Sequence, residues 1–416
     1  MSQPQILTFG CRINTYESEI IRNLTRSSGI DDILVINTCA VTAEAERQAR
    51  QAIRRARRSN PDLKIIVTGC SAQINPDQYS SMDEVDFVFG NEEKLKTTMW
   101  ETIQNSGSLT QVNDIMSATE ITPLLINGYK ERARAFVQVQ QGCDHRCTFC
   151  IIPFGRGPSR SKPVGEVVRE VRSLVENGYK EVILTGVDLT DYGKGLPGQP
   201  TLGNLSQRLL IQVPELMRLR LSSLDPKEVD ADLYWLIEKE ERLLPHFHLS
   251  LQAGDDTVLK RMKRRHSRSD IIKICDHIRQ IRPNATFGAD LIAGFPTETD
   301  EMFQNTLRII NECDLTHLHV FPYSERSGTP ASKMPSVPRD LRRKRASLLR
   351  KAGDEQMRKL MKSSLGKIAR VLIEEDGKGH CERNLPVNIN EQVQQGALVN
   401  CRIKGLNGTY LEAEGI

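Results

Sequence analysis

The sequence predicts an α/β protein in three parts: a small parallel α/β domain, a parallel (β/α) barrel or part of one, and a small β-barrel at the C-terminus. Three observations carry this. Continuous apolar runs alternate with helical stretches through the first hundred residues and again from about residue 133, the pattern of parallel strands covered on both faces. The last fifty or so residues instead hold short alternating strands and Gly-rich turns. At 416 residues the chain is too long for one domain and ample for three.

In chain order, QILTFG, DILVINTCA, LKIIVTGC and VDFVFG read as strands of a first domain over 1–105, separated by helices through SEIIRNLTRS and the basic stretch 43–58. Cys11, Cys39 and Cys70 each follow a strand. In open α/β sheets ligands gather beyond the carboxyl ends of strands, so these three cysteines are expected to meet. Residues 106–132 are polar and without period, as a connector is. Six strand candidates follow in 133–363: RAFVQVQQ, EVILTGVD, RLRLSSLD, HFHLSLQAG, TFGADLIAGFP and THLHVFPYS. Periodicity leaves strand order open, so a doubly wound sheet rivals the barrel. The small barrel spans 364–416, a shape common among nucleic-acid-binding domains.

Composition is that of a soluble globular protein, 38% hydrophobic and 26% charged, and no segment approaches the ~18 apolar residues of a membrane span. MSQPQILTFGC carries no secretory pattern, so a cytoplasmic protein with free thiols is expected. Net charge is only +4, yet basic residues gather at 47–59, 260–268 and 338–351, which points to a polyanion, most simply nucleic acid.

Cys143, Cys147 and Cys150 fall within eight residues of QQGCDHRCTFCIIPFGRG. A closed zinc site wants four protein ligands and a disulfide framework an even count, so three thiols suggest a metal centre with one position open. A [4Fe-4S] cluster on three thiolates keeps one iron free for a substrate. Cys275, Cys313, Cys381 and Cys401 read as small buried apolar residues.

The spacing CxxxCxxC after a strand, with Phe149 before the last Cys, resembles the radical S-adenosylmethionine superfamily. GCRINTYESE, NTCAVT, VTGC, CTFCIIPFGRG, DLIAGFPTET and YSERSGTPA extend the resemblance along nearly the whole chain to the methylthiotransferases. It implies a radical S-adenosylmethionine partial barrel, a TRAM-like C-terminal barrel, and two [4Fe-4S] clusters. Cys143, Cys147 and Cys150 would hold one, chelated by S-adenosylmethionine at its fourth iron; Cys11, Cys39 and Cys70 would hold an auxiliary cluster that carries the sulfur. Thr185, Gly186 and Val187 stand where the superfamily keeps an element that receives the cofactor's amino group, here without its Glu. Ser222 (with Ser223), Gln252 and Asp290 (with Gly294) are further strand-end candidates for the cofactor, and Phe321 and Tyr323 for its adenine. Arg156 and Arg160 are expected to pair with anionic groups of substrate or cofactor, and His246 and His248 to be packed.

The opening GCRINTYESE and the short spacing of RGPSRSK are most similar to the branch that methylthiolates C2 of N6-threonylcarbamoyladenosine at position 37 of tRNA. The resemblance therefore implies three partners: an anticodon stem-loop, S-adenosylmethionine and an electron-donating reductase system, with neither membrane nor DNA. Isopentenyladenosine or a ribosomal aspartate as substrate, and an RNA-binding protein with a structural metal, are the alternatives.

Overall fold

The structure, a computed structural model, describes residues 4–105, 107–122, 126, 128–129 and 132–416. β1 (Gln5–Thr8), β2 (Ile33–Thr38), β3 (Lys64–Gly69), β4 (Phe87–Phe89) and β5 (Leu109–Gln111) form one parallel sheet in sequence order. β5 corrects the reading of 106–132 as connector alone, since Leu109–Gln111 pairs with β4. Three residues are too few to carry a period. Side chains alternate across the sheet. Ile33 and Val35 of β2, with Ile20 and Ile21 of α1 (Arg12–Ser27), join a core shared with the central domain. Leu34 and Ile36 face the other way, onto Ala49 and Ile53 of α2 (Ala43–Ser59).

β6 (Arg134–Gln138) opens the central domain. A short antiparallel ladder of β7 (Gln140–Gln141) with β8 (Arg160–Ser161) follows. Then come β9 (Glu181–Thr185), β10 (Arg218–Leu221), β11 (Ser223–Leu224), β12 (His246–Gln252), β13 (Thr286–Ala293) and β14 (Leu315–Pro322). Parallel neighbours run β6-β9-β10 and β11-β12-β13-β14, with the chain interrupted at Ser222 between the two groups. Strand order follows sequence order and never reverses among the described residues, whereas a doubly wound sheet needs a switch point. The fold is a partial parallel barrel.

The long helix Arg339–Lys362 packs along β14, with Gly353 against Leu318 and the Arg350 guanidinium donating to the Val320 carbonyl at 2.8 Å. β15 (Ile368–Glu375), β16 (Lys378–Cys381), β17 (Pro386–Ile389), β18 (Leu398–Asn407) and β19 (Tyr410–Gly415) close into a barrel around Val371, Val387, Ile403 and Leu411. It docks on the starts of the central strands. Arg220 donates to the Cys381 carbonyl at 3.2 Å, Thr286 to that of Arg383 at 3.3 Å, and His317 Nε2 to that of Asn384 at 3.0 Å. The cysteines sit at the opposite edge.

Candidate active site

The loop that follows β7 carries the compact cysteine trio, and the β7–β8 ladder closes its base. Gly142, at φ +74°, starts it; a Cβ there would lie 1.8 Å from the Pro158 carbonyl oxygen, so only glycine lets the two ends meet. Thr148 pins the loop's middle. Its N–H donates to the Met262 carbonyl at 3.1 Å, its hydroxyl to that of Arg261 at 2.8 Å, and its own carbonyl accepts from the Ala331 N–H at 2.9 Å. Ala331 closes the YSERSGTPA motif, which thereby straps the loop.

His145 is the one further Cys or His in the loop that could complete a zinc site. It is taken instead by Asp188, with Nε2 2.9 Å from Oδ2, and that pairing raises its pKa. The Cys143 thiol also donates to Asp188, at 3.6 Å, and Arg264 reaches Cys147 Sγ at 3.7 Å. Burial pushes the Cys150 thiol up to about 12, and burial together with the Asp188 charge raises Cys143 as well. Thiols in such surroundings hold their protons unless a metal replaces them. Three thiols with the imidazole engaged elsewhere fit a three-thiolate cluster better than a four-coordinate zinc.

Cys11 precedes α1, Cys39 follows β2 and Cys70 opens α3 (Cys70–Ile74), all at the carboxyl edge of the first sheet. Gly69 allows the last of these. At φ +96°, its Cβ position lies 2.4 Å from the Thr38 backbone. The three thiols converge closely enough for Cys11 and Cys39 each to feel the charge of Cys70, and for Cys39 to feel that of Cys11. Burial drives Cys39 up to about 12 and raises Cys11 against the pull of Arg156. Cys39 and Cys70 are buried, while Cys11 is exposed.

Between the trios stands Arg156, only 1% exposed. Its Nε donates to Cys70 Sγ at 3.0 Å, its Nη1 to Gln141 at 3.1 Å and its Nη2 to Glu17 at 2.9 Å, with Asn14 also accepting from Nη2. Glu17 further accepts from Lys94 Nζ at 2.6 Å, and Lys94 holds Asn91 at 2.7 Å. Burial raises the Glu17 pKa, but Arg156 and Lys94 outweigh it and leave the carboxyl below its usual range. Arg156 and Arg160, just beyond the cluster loop, are expected from the sequence to pair with anionic groups of substrate or cofactor. Both are buried instead: Arg160 donates to the carbonyls of Arg156 and Pro158, at 3.2 and 3.1 Å. The sequence signal for this network was the spacing of Asn14 and Glu17, one helical turn apart and directly after Cys11.

The expected cofactor residues line adjoining strands. Thr185 is buried, Val187 half-buried, and Gly186 lies so close to Gln140 that a Cβ would come within 2.9 Å of its amide oxygen. Gln140 accepts from the Asp188 N–H at 2.8 Å, so this element and the cysteine loop are joined. Ser222 is buried, its hydroxyl without a partner among the described residues. Gln252 takes φ +71° at the end of β12. Asp290 Oδ1 accepts from His248 at 3.0 Å and from His319 at 3.1 Å; His248 thus takes part in a polar cluster and is not merely packed. Phe149 meets Phe295 edge-on at 6.4 Å, and Phe295 meets Tyr323 at 5.8 Å, which turns Tyr323 into core while Phe321 remains 38% exposed.

Of the basic runs, 260–268 is largely consumed internally: Arg264 pairs with Asp225 at 2.9 Å, Arg265 with Glu228, and Arg268 with Glu312 at 2.6 Å. The other two keep exposed cations, Arg55 and Arg58 on α2, Arg339, Arg343 and Lys344 on the long helix. The start of α2 lies against the YSERSGTPA segment that precedes the long helix. Arg326 pairs with Glu46 at 3.2 Å, and the Ala43 N–H donates to the Ser324 hydroxyl at 3.2 Å.

Residues 137–310 match the Radical SAM superfamily, and residues 3–90 match a family described as Uncharacterized protein family UPF0004. The chain is 52% identical to the "Threonylcarbamoyladenosine tRNA methylthiotransferase MtaB" of Rickettsia prowazekii (strain Madrid E), over 98% of its own length and 96% of the relative's. The chain belongs to the radical S-adenosylmethionine methylthiotransferase family. A methylthiotransferase of the same description from Aquifex aeolicus (strain VF5) is 35% identical over 95% of this chain and 98% of its own. The "tRNA-2-methylthio-N(6)-dimethylallyladenosine synthase" of Staphylococcus haemolyticus (strain JCSC1435) is 32% identical over 98% and 84%. Among solved structures, the radical S-adenosylmethionine methyltransferase TsrM from Kitasatospora setae shares the fold, with a TM-score of 0.57 at 13% identity over 80% of this chain and 77% of that one. Superfamily membership brings S-adenosylmethionine and a [4Fe-4S] cluster to this methylthiotransferase.

Proposed function

We propose that the protein adds a methylthio group to C2 of N6-threonylcarbamoyladenosine in the anticodon stem-loop of tRNA, in the cytoplasm, drawing electrons from a reductase. The reading rests most on identity to the Rickettsia relative along 98% of the chain. Cys143, Cys147 and Cys150 would hold the superfamily cluster, and Cys11, Cys39 and Cys70 a second one. The bound groups supply a radical able to activate an adenine C–H bond that has no acid–base route, together with the sulfur and the methyl group.

The chain's own work is positional. The β7–β8 ladder and Thr148 fix the first trio, and Arg156 locks the second to it. Phe149, Thr185, Gly186, Val187, Ser222, Gln252, Asp290, Phe321 and Tyr323 are the proposed surroundings of S-adenosylmethionine, with Phe321 the aromatic open to its adenine. An anticodon loop suits such a reaction, because its unpaired bases can be splayed out towards the accessible Cys11.

The test is anaerobic reconstitution of the full chain, with nucleosides from a modified stem-loop read by mass spectrometry. Cys11→Ala is expected to bind half the iron and lose the methylthio product while still cleaving S-adenosylmethionine. Cys147→Ala is expected to lose both activities. Sulfur insertion by Cys11→Ala would overturn the donor role of the N-terminal trio.

A further inference from the structure

Arg12 follows Cys11 directly and opens α1, and its guanidinium reaches towards the interior of the partial barrel. The charges that act on it belong to three central strands: Arg134 on β6, Arg220 on β10 and Asp290 on β13. Each of these neighbours already has its own partners. Arg134 pairs with Glu374 at 2.7 Å and Arg220 with Glu181 at 2.9 Å. Asp290 Oδ1 serves both His248 and His319, and His319, 57% exposed at its side chain, marks the open side of that wall.

Arg12 itself has no ion pair or hydrogen bond among the described residues. A half-buried guanidinium without a partner, while Asp290 is engaged by two imidazoles, is a costly arrangement for the protein alone. It becomes favourable when a ligand brings an anion. The planar fork of arginine matches a carboxylate in two parallel hydrogen bonds.

We propose that Arg12 receives the carboxylate of the threonyl group on the substrate base, and so selects an adenosine whose N6 substituent is anionic over one whose substituent is apolar. This rests on threonylcarbamoyladenosine being the substrate. The chemistry of the base supports the position: C2 and the N6 substituent are carried on one six-membered ring. A base that offers C2 to the trio of Cys11 therefore brings its substituent to the residue next door. His248 and His319 are positioning residues here, since they engage the Asp290 carboxylate that would otherwise be free to pair with Arg12.

The test compares two anticodon stem-loops, one carrying threonylcarbamoyladenosine and one carrying its methyl ester, on the reconstituted holoenzyme and on Arg12→Gln and Arg12→Lys. Dissociation constants are read alongside kcat and KM. The unsubstituted enzyme is expected to favour the acid over the ester by roughly ten- to a hundredfold, the worth of a charge-assisted hydrogen bond. Arg12→Gln is expected to bring that ratio near one, mainly through KM, and Arg12→Lys to restore part of it. A ratio taken on one variant cancels any loss of folded or loaded protein. If Arg12→Gln keeps the full preference, or if the unsubstituted enzyme modifies the acid but binds acid and ester alike, the assignment of Arg12 fails alone. If the enzyme modifies an isopentenyladenosine loop and ignores the threonylcarbamoyl one, the substrate reading beneath it fails.

Discussion

Glu17 has the most to lose from a single change. It is fully buried and pairs with Arg156 and Lys94 at once. Removing one partner of a buried pair leaves the other charge without compensation, at about 3–5 kcal/mol. Glu17→Ala is therefore expected to lower stability by that order in denaturant melts and to deplete iron at the N-terminal trio, since Arg156 would no longer be held against Cys70. Unchanged stability and iron content would show the network to be dispensable. The six thiols were legible in the sequence from spacing and strand-end position. The groups that hold them were not: Asp188, Gln140, Arg264 and Lys94 are joined to the cysteines only through space, and nothing at their own positions distinguishes them from ordinary surface polar residues.

Among elements, the six central strands were readable because each is a run of apolar residues long enough to bury both faces. Their sequential order was not, and it came only with the pairing of β6, β9 and β10 on one side and β11 to β14 on the other. The two-residue ladder of β7 and β8 and the three-residue β5 were beyond reach for lack of length. The C-terminal barrel was visible as an element, but its berth was not, because backbone carbonyls of residues 381–384 receive Arg220, Thr286 and His317. His317 makes this docking pH-sensitive. Burial lowers its pKa to about 4, despite the hydrogen bond to Asn384. An unfolded histidine titrates near 6.5, so between the two values the unfolded chain binds the extra proton. Stability is thus full above about pH 6.5 and falls as pH drops towards 4, by on the order of 3 kcal/mol from this residue. Thermal melts over that range are expected to show the decline in the natural chain and a shallower one in His317→Gln.

For the whole molecule, the exposed cations of α2 and of the long helix supply the basic surface. Binding of a tRNA to this surface is expected to weaken steeply with salt, with log K falling in proportion to the phosphates neutralised. Replacing Arg55, Arg343 and Lys344 together by Ala should flatten that slope, measured by titration at several salt concentrations. An unchanged slope would move the interface elsewhere.

Glu46–Arg326 and Glu17–Arg156 have one more consequence when taken as a pair. Each joins the first domain to the central one through buried charge, at two separate points. Two such pins leave the line that joins them as the one axis about which either body could swing against the other. Any change in the span between the cysteine trios is thereby confined to that single hinge. The larger movement is then expected of the nucleotide, which has to leave its own stack to reach the trios.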